Sequence, residues 1–388
     1  MSEEMKNLNN EQPAEETVVE KVEPAVEAKK PLDKKTIGII AGVAAAAVVV
    51  LVLVLVLTLG GNKAPALNDY TLGLGTVVSL ESSKTGTAQV DATIATVVLD
   101  KDGKIVLCRV DAIQNKISIA DGVLTVPAAF KTKMEQGDDY NMAKYGHSLV
   151  GNETVKEWYE QAKAFETWCV GKTVSEIENM GVQTMDNGYV ISSDKALLDA
   201  GCTISITDFR DAVVKACKDD QGVAFQSAGN FTLGVSANSA DSGSTAAAAD
   251  KDGAVQVYSD IAASVVEDGK ILASLNDAIQ PKVSYNTLGE ITAKSFKATK
   301  RELKEDYNMA KYGHSLVGNE TVVEWYLQSA AFSKHVVGKT SADVQALPTQ
   351  TMDNGYVISN DQALLGAGCT MSIDAIIAVV VESVANAR

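Results

Sequence analysis

The chain has 388 residues, 46% of them hydrophobic, and a formal net charge of −16. The apolar content excludes wholesale disorder, and the length suggests two domains. The acidic balance argues against a nucleic-acid partner, because phosphate backbones need basic protein faces. Three His and five Cys exclude a metal-binding module rich in these residues.

The N-terminal segment, residues 1–35, forms a charged tail. It contains nine acidic and six basic residues, and residues 1–28 contain no aromatic side chain. Such a segment cannot bury enough apolar surface to offset the entropy lost on ordering. We therefore predict a disordered tail over residues 1–35.

An uncharged run follows the tail. Residues 36–60 carry no charge, and Val48–Leu57 consists of Val and Leu alone. About 20 residues of helix cross a bilayer core, so the sequence predicts a transmembrane helix over 36–60. Four lysines lie between 29 and 35, which places the tail in the cytoplasm and residues 61–388 outside a single-pass cell membrane. The alternative is a cleaved signal peptide, whose apolar region is usually only about 7–15 residues long.

The remaining residues contain an internal duplication. Asp139–Val155 is identical to Asp306–Val322, and the match continues without a gap to Cys217 and its counterpart Val384, with well over half of the positions identical. A looser match upstream pairs Thr71-Leu72-Gly73 with Thr232-Leu233-Gly234. A repeat this long is a copied domain rather than a solenoid unit. We predict copy 1 at 66–222 and copy 2 at 223–388, with few shared elements and each able to fold alone.

The pattern in copy 1 predicts strands first and helices afterwards. Tyr70–Leu80 and Ala88–Leu99 are β-rich, and a turn at Asp100–Gly103 leads into a returning strand, Lys104–Val110. Apolar residues at helical spacing predict a helix over Thr154–Val170, begun by a capping box of Thr154 and Glu157.

The second half of each copy predicts short elements and a closing helix. The predicted elements are a short helix from Val174, a hairpin over Gln183–Ser192, a short strand over Thr203–Ile206, and closing helices over Asp208–Lys218 and Asp374–Ala387. The fold class is therefore α+β: two tandem copies of an antiparallel sheet with packed helices, preceded by one transmembrane helix.

Two motifs resemble ligand loops. Gly171-Lys172-Thr173 and its copy at 338–340 resemble the end of a phosphate-binding P-loop, but the upstream glycine is missing. Thr173 as the cap of the next helix, with Glu176 completing a capping box, is the favoured interpretation. Asp100-x-Asp-Gly resembles a calcium-loop fragment, and a hairpin turn is favoured there. The cysteines show no disulfide framework and are expected to be free thiols.

The longest block that is unchanged between the copies is a loop. It contains His147 in copy 1 and His314 in copy 2, within the identical stretch that spans Asp139–Val155 in copy 1. The unchanged sequence is explained either by structural constraint or by contact with a ligand, since loops on a rigid scaffold often carry binding sites.

Two segments resemble the FMN-binding domain family, which occurs in the C subunit of sodium-pumping NADH:quinone reductase and in extracytoplasmic bacterial electron carriers. The hairpin over Val90–Val110 is similar to the family's opening strands. Asp199-Ala200-Gly201-Cys202-Thr203, before the closing helix, resembles the family's flavin motif, and copy 2 has Gly366-Ala367-Gly368-Cys369-Thr370. Almost all of residues 70–388 also resembles Firmicutes membrane-anchored surface proteins with two tandem FMN-binding-like domains.

The resemblance implies where a flavin would sit. Thr203 and Thr370 match the threonine that carries FMN through a phosphoester, installed by a separate flavin transferase. Gly201 and Gly368 would permit a tight exposed turn. Asp199 would assist attachment in copy 1 alone. The sequence departs from the family motif at Ala200 and Cys202, so covalent and noncovalent association both stay open.

Other residues are candidates for contact with the flavin ring. They are Tyr140, Met142, Tyr145 and His147 in copy 1, and Tyr307, Tyr312 and His314 in copy 2. The resemblance implies an extracellular, membrane-tethered, flavin-associated protein that acts as a surface electron carrier with a redox partner rather than as an enzyme. The alternatives are a non-catalytic surface interaction or adhesion module that has lost flavin, and a sensor with a signalling tail.

Overall fold

The structure is a computed structural model that describes residues 66–146, 155–312 and 322–388, without the side chain of Tyr312. The predicted tail (1–35) and membrane helix (36–60) lie outside the described residues. None of the helices in the described part of the chain is long and apolar enough to cross a bilayer. Residues 66–388 form one compact unit of the α+β class.

Copy 1 begins with strands and continues mainly with short helices. Its elements are β1 (Asn68–Ser79), β2 (Thr87–Asp100), β3 (Ile105–Ala120), β4 (Val123–Thr125), α1 (Lys133–Gln136), a 3₁₀ turn (Gly137–Tyr140), α2 (Met142–Tyr145), α3 (Trp158–Cys169), α4 (Val174–Glu178), β5 (Val182–Thr184), β6 (Val190–Ser192), α5 (Lys195–Asp199) and α6 (Thr207–Cys217).

Copy 2 repeats this order with two more strands, because one strand precedes the repeat and the counterpart of β3 is divided in two. Its elements are β7 (Val223–Ser227), β8 (Thr232–Asp241), β9 (Gly253–Glu267), β10 (Lys270–Ile279), β11 (Lys282–Tyr285), β12 (Ile291–Ser295), α7 (Lys300–Leu303), a 3₁₀ turn (Lys304–Tyr307), α8 (Met309–Tyr312), α9 (Trp325–His335), α10 (Ser341–Gln345), β13 (Thr349–Thr351), β14 (Val357–Ser359), α11 (Gln362–Gly366) and α12 (Asp374–Ala385).

Each copy builds an antiparallel meander. The first sheet has the order β4-β3-β2-β1-β7, and the second has β10-β9-β11-β12 with β8 on the other edge of β9. Residue 281, a proline, separates β10 from β11 where β3 of copy 1 runs without interruption. A proline cannot donate a ladder hydrogen bond, which accounts for the break. The predicted hairpin of β2 and β3 is confirmed.

Strand β2 is buried on both faces. Val90, Ala92 and Ile94 face the space between the two sheets, whereas Ala95 and Val97 face the helices. Successive side chains of a strand point to opposite faces, so a strand covered on both sides becomes apolar at every position. This is why the alternation in the sequence gives way to a continuous apolar run.

The two copies share one hydrophobic core, which we call the shared core. It lies between the sheets and includes Leu72, Ile94, Ile113, Ile117, Leu233, Ile261 and Tyr285. Each sheet also packs its own helices on its outer face. The expectation that the copies share few elements is wrong, because β7 pairs with β1 of copy 1 and the shared core draws on both.

The closing helices lie unusually close to the first strand of each copy. A Cβ added to Gly73 would lie 2.0 Å from the carbonyl oxygen of Ala216 in α6, and one added to Gly234 would lie 1.8 Å from that of Ser383 in α12. Glycine permits this contact because it has no side chain. The Thr-Leu-Gly match between the copies therefore marks the place where the closing helix docks.

Three local predictions can be compared with the structure. Thr173 caps α4 with Glu176, so the helix-cap interpretation of the P-loop-like motif is confirmed. Helix α3 begins at Trp158 rather than near Thr154, and its capping box is formed by Glu157 and Glu160. The prediction of Thr154 as cap is therefore wrong, since a cap must directly precede the first helical turn.

The predicted strand over Thr203–Ile206 is also wrong. This stretch is irregular, and the backbone N–H of Thr203 donates to Oε1 of Gln161 at 2.9 Å instead of pairing in a sheet. A short apolar run cannot be distinguished from a buried irregular segment by its pattern alone.

Candidate functional site

Copy 1 contains a cavity of about 430 Å³ with aromatic walls, which we call the aromatic cavity. Its residues are Thr93, Ala112, Gln114, Lys133, Tyr140, Met142, Trp158, Tyr189, Ile204, Ser205, Asp208 and Phe209. Aromatic side chains make up only 5% of the sequence, yet four of them line this one cavity. Such a concentration of rings with a few polar groups is typical of a small-molecule site.

The walls come from both layers of copy 1. Thr93 and Gln114 lie on β2 and β3, and Trp158 and Phe209 extend from the starts of α3 and α6. The Trp158 and Phe209 rings meet edge to face with centroids 5.5 Å apart, which fixes both. Tyr189 is 54% exposed on the β5–β6 hairpin and forms the outer wall.

One lysine and one acid, Lys133 and Asp208, line the aromatic cavity. The ammonium of Lys133 lies 4.9 Å from the ring centroid of Tyr140 and 5.5 Å from that of Trp158. Burial, followed by the charges of Asp211 and Asp91, raises the pKa of Asp208 above its ordinary value. The cavity can therefore offer a cation, a carboxyl group and several neutral polar groups to one ligand.

The predicted FMN-carrying threonines are both buried. Thr203 and Thr370 are each 5% exposed, and each donates its backbone N–H to a buried glutamine, Gln161 or Gln328, at 2.9 Å. Thr203 directly precedes Ile204 and Ser205 of the cavity wall. It therefore lies behind the wall rather than on an exposed turn.

The turn before each threonine has the predicted geometry. Gly201 and Gly368 both have φ of +88°, a conformation that favours glycine. Asp199, predicted to assist attachment, is an exposed residue that pairs with Lys195 at 2.7 Å. The carboxylate of Asp199 thus forms a surface ion pair with a lysine one turn earlier in α5.

The predicted ring contacts divide into two groups. Tyr140 and Met142 lie together in the aromatic cavity, as expected. Tyr145 is 68% exposed and contacts Lys144 instead. His147, His314 and the side chain of Tyr312 lie outside the described residues.

The same place in copy 2 is occupied by its own side chains. Strand pairing puts Tyr258 and Asp260 where copy 1 has Asp91 and Thr93. The ammonium of Lys300 donates to the hydroxyl of Tyr258 at 3.0 Å. It lies 4.4 Å from the Tyr258 ring centroid and 4.5 Å from that of Tyr307, the counterpart of Tyr140.

This cluster in copy 2 is also electrostatically distinct. Burial lowers the pKa of Lys300 to about 8, although the charges of Asp260 and Asp277 oppose the shift. Burial raises the pKa of Asp260 to about 7, against the attraction of Lys300. Lysine over a tyrosine and a tryptophan ring is common to both copies, because Lys133 lies over Tyr140 and Trp158 in the same way. Copy 2 differs in that Lys300 and Asp260 are each 6% exposed and Lys300 also bonds Tyr258.

Sequence analysis did not assign several residues of the aromatic cavity to the site. Trp158 lies in the helix that apolar spacing predicts, and it is buried as such spacing implies. Lys133, Tyr189 and the adjacent pair Asp208 and Phe209 come from three separate segments. The available signal was the difference between copies, because Phe209 is replaced by Ile376 and Asp208 by Ala375.

Comparison of the chain with protein-family models, with curated proteins and with solved structures found no match. The resemblance to the FMN-binding domain family therefore rests on the motifs quoted above.

Proposed function

We propose that this protein is a membrane-tethered extracellular flavin-binding protein that holds one FMN noncovalently in the aromatic cavity of copy 1 and carries electrons at the cell surface. The observation that carries the proposal is the aromatic cavity itself, with four aromatic side chains around about 430 Å³. A flat heteroaromatic ring gains both apolar burial and ring stacking in such a place.

The chain's own residues divide the work of binding. Tyr189 offers an exposed ring for stacking, and Tyr140 and the buried Trp158 form the apolar inner wall together with Lys133. Ser205 and Asp208 can hydrogen-bond the edge of a ring that carries both donors and acceptors. A bound flavin supplies the electron chemistry.

Lys133 would tune a bound ring electrostatically. Its ammonium lies against two aromatic side chains inside the cavity, where opposite charge attracts more strongly than in bulk water. A cation in this position favours a ligand that gains negative charge. This supports a carrier role, with a redox partner still to be identified by experiment.

The burial of the two threonines supports noncovalent rather than covalent binding of FMN. A hydroxyl that accepts FMN from a transferase has to be reachable, and Thr203 is 5% exposed with its backbone tied to Gln161. We expect denaturation of the protein from its native host to release the flavin and leave an unmodified polypeptide mass. An FMN-sized adduct on Thr203 or Thr370 would contradict this part.

The membrane tether rests on the uncharged run over 36–60 and the lysines before it. We expect protease added to intact cells to remove the segment from residue 61 onward and leave a short membrane stub. Protection of the C-terminal part would contradict the orientation.

Flavin binding is tested by titrating the full chain with FMN and following the quenching of flavin fluorescence. We expect one FMN per chain, and similar affinity for riboflavin, because the cavity recognises the ring. Tyr189→Ala should weaken binding about 3- to 10-fold, the equivalent of about 0.5–1.5 kcal/mol of ring contact. No saturable quenching would overturn the proposal.

Copy 2 provides the matched control. Tyr356 is the counterpart of Tyr189 in copy 2 and is about equally exposed, at 52%. Tyr356→Ala should leave the affinity for FMN unchanged. Equal effects of the two variants would contradict the assignment of the site to copy 1.

The filled site of copy 2 favours a second candidate function, a surface interaction module. Lys300, Tyr258 and Asp260 replace a ligand space by internal contacts while the fold is kept. If copy 1 also fails to bind FMN and riboflavin, the interaction module becomes the better conclusion.

A further inference from the structure

A second cavity of about 480 Å³ lies where the two copies meet, and we call it the junction cavity. Val223 and Phe225 of β7 form one wall, Leu272 and Leu275 of β10 another, and α9 covers the third side. The walls are largely apolar. The cavity is separate from the aromatic cavity, with which it shares no lining residue.

Two buried polar side chains line the junction cavity with unused hydrogen-bonding capacity. Ser274 and Asn276 are each 1% exposed, and neither Ser274 Oγ nor Asn276 Oδ1 has a hydrogen-bond partner among the described residues. Asn276 uses its Nδ2 to donate to Ser333 Oγ at 2.8 Å. Buried polar atoms are almost always paired, so these two point to a missing partner.

The buried cation of the junction cavity is already neutralised. Arg301 donates to both carboxylate oxygens of Asp219 at 3.0 Å and to the carbonyl of Gln221 at 3.1 Å. Lys334, the other charged lining residue, is exposed to solvent. A charged group held against the buried walls would therefore be desolvated without a new opposite charge beside it. The cavity favours a neutral occupant.

Copy 1 has replaced the same features. Strand pairing puts Cys108 and Val110 where copy 2 has Ser274 and Asn276. Glu166 stands at the position of Ser333, accepts from the N–H of Val110 at 2.9 Å and pairs with Arg388 at 2.8 Å. Polar side chains in copy 1 thus satisfy one another, whereas in copy 2 smaller ones leave a space.

We propose that the junction cavity binds a small, neutral, apolar alcohol, with its hydroxyl group hydrogen-bonded to Ser274 Oγ and Asn276 Oδ1. A hydroxyl both donates and accepts, which matches one acceptor and one side chain able to do either. The apolar walls supply the rest of the contact area.

The test uses menthol as the probe and menthyl methyl ether, which lacks the donor, as its matched analogue. Calorimetric titration of the full chain should show menthol binding about tenfold more tightly than the ether, because a site built to hydrogen-bond a hydroxyl disfavours the analogue without it.

Substitutions that introduce the residues of copy 1 should remove the preference for menthol over its ether. Combining Ser274→Cys with Asn276→Val installs the residues of copy 1 and should bring the two affinities to within about twofold. Ala330→Trp fills the mouth from an exposed position of α9 and should weaken menthol binding at least about tenfold. Leu327→Trp, one turn earlier and 46% exposed, should have no effect.

Three results would overturn the proposal. They are the absence of menthol binding, equal affinity for menthol and its ether, and an Ala330→Trp variant that binds menthol normally. FMN titration of the same variants keeps the outcomes separate, because none of these substitutions touches the aromatic cavity.

Discussion

The two copies have the same fold but differ in which buried places are open cavities and which are filled by side chains. Copy 1 keeps an open aromatic cavity beside Lys133, whereas copy 2 closes the same place around Lys300. At the junction the roles are reversed, because Glu166 of copy 1 is held in an ion cluster and its counterpart Ser333 borders a cavity. The two copies thus share a scaffold, and their described cavities lie at different places on it.

This comparison teaches that a few buried positions decide which copy can bind. The stretch that is identical in both copies includes Tyr140 and its counterpart Tyr307. The strand behind them differs, because Asp91 and Thr93 of copy 1 correspond to Tyr258 and Asp260 of copy 2. The start of the closing helix differs as well, because Phe209 is replaced by Ile376.

The strongest test of the comparison is to open copy 2. Tyr258→Asp combined with Asp260→Thr installs the residues of copy 1 and removes the hydroxyl that Lys300 bonds and one of the two acids beside it. We expect the number of FMN molecules bound per chain to rise from one to two in the fluorescence titration. An unchanged number in a variant that melts like the native protein would show that other positions close copy 2.

The second test concerns cooperativity. Phe165→Ala in copy 1 and Phe332→Ala in copy 2 each remove a fully buried ring and should lower the free energy of unfolding by about 3–5 kcal/mol. Because the shared core joins the copies, both should lose stability together in a single urea transition.

Tryptophan fluorescence can follow the unfolding of each copy separately. Trp158 and Trp168 belong to copy 1, and Trp325 is the remaining tryptophan of the chain. A Trp325→Phe background reports on copy 1, and a double Trp158→Phe, Trp168→Phe background reports on copy 2. Two distinct midpoints for the Phe165→Ala variant would contradict the shared unfolding.

A third test breaks the ionic contact between the copies. Asp219 and Arg301 pair at 3.0 Å with side chains that are 7% and 6% exposed. Asp219→Ala leaves a buried arginine alone and should cost about 3–5 kcal/mol of unfolding free energy in urea. Glu81→Ala breaks an exposed pair with Lys294 and serves as control, with about 0–1 kcal/mol.

The fourth test uses matching buried acids. Burial raises the pKa of Asp111 to about 7 and that of Asp277 to about 6, from an ordinary 3.8. The folded protein then holds protons that the unfolded chain releases, so stability falls as pH rises from about 4 towards 7 in copy 1 and 6 in copy 2. The slope for one such group is about 1 kcal/mol per pH unit.

Asparagine substitutions isolate this slope. Asp111→Asn keeps the oxygen that accepts from Ala112 and Met134 and cannot titrate. Urea unfolding at pH 5 and pH 7 should show a flatter pH dependence for Asp111→Asn than for the native chain. Asp277→Asn should flatten the pH dependence of stability over a narrower pH range, from about 4 to about 6. An unchanged slope in both would contradict the protonated state of these acids.

The smallest expected effect concerns a helix cap that the two copies have in common. Thr173 caps α4 and Thr340 caps α10 through the same capping box. Thr173→Ala and Thr340→Ala should each lower thermal stability by an equivalent of about 1 kcal/mol, while serine at either position restores the cap. A clear inequality would show that the short helices contribute differently to the two copies.

The sequence alone determined the repeat, the α+β class and most local elements. The hairpin of β2 and β3, the caps at Thr173 and Thr340, and the closing helix over Thr207–Cys217 follow from spacing and turn chemistry. These features depend on residues close to one another in the chain. Periodicity and capping are local, so a single sequence is sufficient to predict them.

Only the tertiary structure decided which copy has space for a ligand. The aromatic cavity brings Lys133, Tyr189 and Phe209 together from distant segments, and the shared core joins strands from the two copies. Burial of Thr203 was equally invisible, because its backbone is tied to Gln161 of the distant helix α3. Whether a pocket is open depends on the volume that packed side chains leave between elements, and that volume is a property of the assembled fold.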